Sequence, residues 1–132
     1  MIEFAEAAAE YFGRVEQHIY KGNEIRADSW MSIDEKQEEL KQLDRKRTQA
    51  HDRLIRMYCQ NFDFSNIENR TQLADKVAMM IFRGLDIEIG DNMKEGDIRD
   101  ALAEHLHENK ITKEQIITIL NRPHKIERSV NI

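Results

Sequence analysis

The chain holds one proline, one cysteine and five glycines in 132 residues, and each shortage excludes something. A β-rich or disordered chain carries more turn formers or fewer apolar residues than this one. The glycines stand singly, so no phosphate-cradling loop can form from them. Cys59, being alone, cannot close an internal disulfide, which makes a reducing cytoplasm the expected compartment. No apolar run approaches the roughly 18 residues of a membrane helix. The opening Met1-Ile2-Glu3-Phe4 lacks the basic start of a secretory signal. Nor is there a surplus of positive charge: the net charge of −5 argues against binding nucleic acid over the whole surface.

What is present is 40% apolar and 34% charged residues, the balance of a strongly helical protein. The expected fold is all-α: a single-domain bundle over 1–123 with four main helices and a short C-terminal helix, followed by a tail at 124–132. The longest helix is expected at about 34–60, with the others organised around it. That stretch has no Gly or Pro, and Ser32 with Glu35 forms a Ser-x-x-Glu capping box at its start. Leu40, Leu43, Ala50, Leu54 and Met57 recur at steps of three and four, and Arg47 stands where the next apolar residue is due.

The remaining helices follow from the same periodicity. Phe4, Ala8, Tyr11, Phe12, Val15 and Ile19 line a first helix over 3–21, with Gly22 as its stop. A third begins at Ser65 or Asn69, since two cap registers compete, and ends at Gly84. Leu85 to Ile89 alternates like a strand but has no partner, so an extended connector or short turn is expected. A fourth helix runs from Asp97 to Asn109. Thr112 and Gln115 cap a fifth, which Asn121-Arg122-Pro123 terminates.

Several constellations invite chemistry and are incomplete. Residues 86–97 are acidic, yet neither Asp86 nor Asp91 as first ligand places glycine and glutamate where a calcium loop needs them. Glu104 and His107 give one Glu-x-x-His where a di-iron bundle uses two. His51-Asp52 resembles the paired ligands of the HD-domain metal phosphohydrolases, which are also all-helical. That family requires a separate upstream His and a downstream Asp. His18 and Asp97 or Asp100 are available for these roles but lie in no matching context. Cys59 is expected near a helix C-terminus, the end of the dipole that does not favour a thiolate nucleophile. The expectation is therefore no enzyme, no cofactor and no metal.

Two readings of function remain. The favoured one is a cytoplasmic interaction protein, a homodimer or an adaptor for another protein, with Trp30, Met31, Arg47 and Tyr58 as partner-binding residues. The alternative is nucleic-acid binding through the basic part of the long helix, with Lys41, Arg45, Lys46, Arg53 and Arg56 on phosphates.

Overall fold

In the computed structural model, which describes residues 2–90 and 93–122, five helices follow one another: α1 (Ile2–Ala27), α2 (Ile33–Asn61), α3 (Arg70–Gly84), α4 (Asp97–Glu108) and α5 (Lys113–Leu120). No strand occurs among the described residues, so the fold is an all-α bundle. Leu85–Ile89 is a connector without helix or strand, and its alternation reflects one-sided docking of Ile87 and Ile89 against the core. The segment 124–132 lies outside the described residues.

Both capping boxes form. Ser32 Oγ accepts from the Glu35 amide at 3.1 Å, and the Glu35 carboxylate accepts from the Ser32 amide at 3.3 Å. Thr112 and Gln115 do the same at α5. Of the two competing starts for α3, Asn69 prevails: its side chain accepts from the Gln72 amide at 2.8 Å. Ser65 is drawn instead into a turn with Asp63.

The first helix runs past its expected stop. Gly22 lies buried inside α1, and the helix continues to Ala27. A mid-helix glycine costs about 1 kcal/mol. Ile25, one turn further on and 3% exposed, gains burial that offsets it, because tertiary packing outweighs propensity.

The hub of the bundle is α1, although α2 is longer. Helix α1 packs against α2, α4 and α5, and its face from Phe4 to Val15 is almost wholly buried. Helices α4 and α5 touch both α1 and α3. In α2 only Ala50, Leu54 and Tyr58 are fully buried, and the earlier seam residues Leu40 and Leu43 are half-exposed. The core cluster therefore ends near Ala50, and the last turns of α1 with the first turns of α2 form a helical hairpin standing beyond it. Lys36 Nζ donates to the Arg26 carbonyl at 3.0 Å and ties the hairpin's two arms together.

Candidate interaction surface

At the far end of the hairpin, Asp28 to Ser32 turns the chain. The Asp28 carboxylate accepts from the Trp30 amide at 2.8 Å, a local turn of the kind Asp side chains favour. This leaves the Trp30 side chain in solvent, 95% exposed, with Ile33 beside it at 75% and Met31 half-buried. A side chain that buries 150–250 Å² when packed stands here almost bare. The charges next to it on α2 are acidic: Asp34, Glu35, Glu38 and Glu39 are all exposed.

Arg47 does not need a partner chain to satisfy it. Its guanidinium pairs with Asp44 at 3.0 Å on its own helix, near His18 across on α1. The cation has turned out of the seam to the edge, as a long amphipathic side chain can. Burial, then the Arg47 charge, hold His18 below the ordinary histidine range.

Tyr58 is a correction. Expected as an exposed contact, it is 7% exposed and packs on Phe4 and Phe62, with ring centroids 6.2 and 4.9 Å away. Its position follows the Ala50–Leu54 face, and the aromatic cluster at the start of α1 gives it cover. It has no surface to offer a partner.

The basic residues of α2 divide. Lys41, Arg45, Lys46 and Arg56 are exposed and make no ion pair among the described residues. Arg53 is diverted to Glu10 of α1 at 2.9 Å. At 100° per residue the five span an arc of roughly 140°, with Arg53 on the flank beside α1 and Lys41, Arg45 and Arg56 turned away from it.

His51 and Asp52, the pair with a resemblance to metal ligands, are both engaged by Arg70 at the start of α3. The His51 Nε2 donates to the Arg70 carbonyl at 3.0 Å, and Asp52 pairs with the Arg70 guanidinium. The imidazole also packs on Tyr11, with ring centroids 4.7 Å apart and the planes tilted by 34°. Burial lowers the His51 pKa, assisted by the Arg70 and Arg99 charges and opposed by the carbonyl it bonds. Burial raises that of Tyr11, whose hydroxyl makes no hydrogen bond among the described residues; Arg99 stands near it and pulls the other way. His107 bonds Glu16 at 3.0 Å and stacks on Tyr20, pinning the end of α4 to α1. Among the described residues no three His, Cys, Asp or Glu side chains converge as metal ligands would.

Sequence reasoning passed over one surface feature. A groove of about 240 Å³ opens between α2 and the loop before α3, lined by Ile55, Cys59, Phe64, Ile67 and Leu73 and largely apolar. Phe64 is 54% exposed at its lip. The signal was present as Phe62, Phe64 and Ile67 in a segment that carries no helical period. Comparison with protein-family models, with curated proteins and with solved structures gives no match.

Proposed function

We propose that this chain is a non-enzymatic interaction protein that meets a protein partner through the end of the α1–α2 hairpin. The observation that carries the reading is Trp30: a nearly bare indole on a turn held by its own hydrogen bond, with Ile33 at its side. Exposed tryptophan on a preorganised element is what a binding hot spot needs. The histidines and acids that would be drafted into catalysis have structural work instead, His51 and Asp52 at Arg70 and His107 at Glu16. The proposed setting is the cytoplasm, where the single exposed Cys59 stays reduced. The test is recovery of partners with tagged protein from its native cell. Proteins held by wild type and lost with Trp30→Ala support the reading; an unchanged set overturns it.

A second reading rests on Lys41, Arg45, Lys46 and Arg56, which face solvent as a basic arc without an ion pair among the described residues. Binding of nucleic acid through this arc falls steeply between about 50 and 200 mM salt. It is lost in the variant with Arg45→Ala and Lys46→Ala.

A further inference from the structure

We propose that the partner of this surface is a second copy of the same chain, seated antiparallel along the outer side of α2. The inference rests on the reading of the hairpin end as a contact surface. Opposite the face that packs on α1, Asp34, Glu38, Lys41, Arg45, Asp52 and Arg56 recur at steps of three and four, with one step of seven across Thr48. They fall within an arc of roughly 60°, which is one straight stripe. All are exposed except Asp52, which is half-exposed, and the stripe changes sign along its length.

A two-fold axis pairs a stripe with itself reversed. Setting Glu38 opposite Arg56 of the other copy brings Lys41 within one residue of the level of Asp52, whose carboxylate it shares with Arg70 of that copy, and Arg45 close to the level of Thr48. Each match occurs twice, and the two Arg45 residues flank the axis at levels about 5 Å apart. The same register carries Trp30 past the end of the partner's α2, to the level of Phe64, where the apolar groove opens. One molecule thus bears both a bare indole and a groove to receive it, separated along the helix by the distance this pairing requires.

Size is consistent with a real interface. A 29-residue helix runs roughly 40 Å, and a strip about 10 Å wide along it gives each copy several hundred Å². With two indoles buried, the total comes near the 1,200 Å² or so at which specific interfaces begin.

The closing experiment is sedimentation or light scattering from micromolar concentrations to about 1 mM. Wild type forms a dimer, and Glu38→Arg or Trp30→Ala weakens it about tenfold or more. Combining Glu38→Arg with Arg56→Glu restores it, because the pair is exchanged and the match kept. Cross-linking fixes the register independently. Asp34→Cys lies level with the partner's Cys59, so mild oxidation gives a covalent dimer. Within one chain the two positions are roughly 40 Å apart and cannot bond. Wild type, whose two Cys59 lie at opposite ends of the pair, does not cross-link. A wild type that stays monomeric throughout, a dimer indifferent to both substitutions, or cross-linking through Cys59 alone overturns the inference. If wild type is monomeric yet still recovers a Trp30-dependent partner from the cell, the homodimer fails and the interaction reading stands.

Discussion

Asp75 of α3 caps a helix to which it does not belong. Its carboxylate accepts from the Gly96 amide at 2.8 Å and from the Arg99 amide at 3.0 Å, at the start of α4. Gly96 is the N-cap of that helix, has no side chain to cap with, and sits at φ +89°. One carboxylate therefore does from α3 what a capping box does within a single helix. Asp75→Ala leaves two amides of a half-buried turn without acceptors, at a cost of about 1–2 kcal/mol. Urea denaturation measures it. Asp75→Asn, which keeps one acceptor oxygen, falls between the two. An Asp75→Ala midpoint equal to wild type would show that α4 is capped by other means.

Gly84 and Ile119 meet where α3 ends beside α5. A β-carbon on Gly84 would fall well inside van der Waals contact of the Ile119 side chain. Gly84→Ala is therefore expected to destabilise by about 1–3 kcal/mol through overpacking. Ile119→Ala removes the Cγ2 methyl that the new β-carbon would meet, and combining the two should cost less than the sum of the separate changes. A double-mutant cycle with no coupling would remove the steric explanation.

The Ser32 box stands at the far end of the exposed hairpin. Ser32→Ala is expected to cost about 1 kcal/mol, since the Glu35 amide loses its acceptor. Hydrogen exchange should show the loss concentrated in the first turns of α2. An unchanged denaturation midpoint would mean that this turn is already frayed.

Stability should decline as pH falls below about 6.5. His18 and His51 are both held below their ordinary value in the folded protein, chiefly by burial. The unfolded chain takes up protons first, so stability is full above the unfolded value. It is lost as pH falls toward the folded values and then levels off. His51→Gln removes one of the two groups. Its loss of stability between pH 7.5 and 5.5 should be smaller than that of wild type. Equal losses would exclude His51 as a contributor.

Elements with a local signal were legible in the sequence; those fixed by contact between distant residues were not. Ser32 with Glu35 and Thr112 with Gln115 cap as their spacing predicts, because each box closes within four residues. The Asn69 start was one of two readable registers, and only the docking of Leu73, Ala74 and Val77 chooses between them. Gly22 misled because its cost is local, whereas the burial of Ile25 that offsets it comes from packing against α2. Asp75 on Gly96 spans 21 residues and has no local mark. On the surface, the exposure of Trp30 and the burial of Tyr58 were both beyond the local sequence, for one reason. A lone aromatic shows its size in the sequence, but its cover here comes from Phe4, more than fifty residues away.

That α1 is the hub has a consequence for synthesis. Of the five helices α1 leaves the ribosome before the others and is nearly apolar along one face from Phe4 to Val15, and two of the three helices that cover it, α4 and α5, emerge after α2 and α3. Until Ile116 and Leu120 are out, the nascent chain can build the α1–α2 hairpin but not close the body beneath it. Proteolysis of stalled nascent chains should accordingly show protection of the hairpin early and of the body in one late step. During that interval the exposed face of α1 is a natural client for a chaperone.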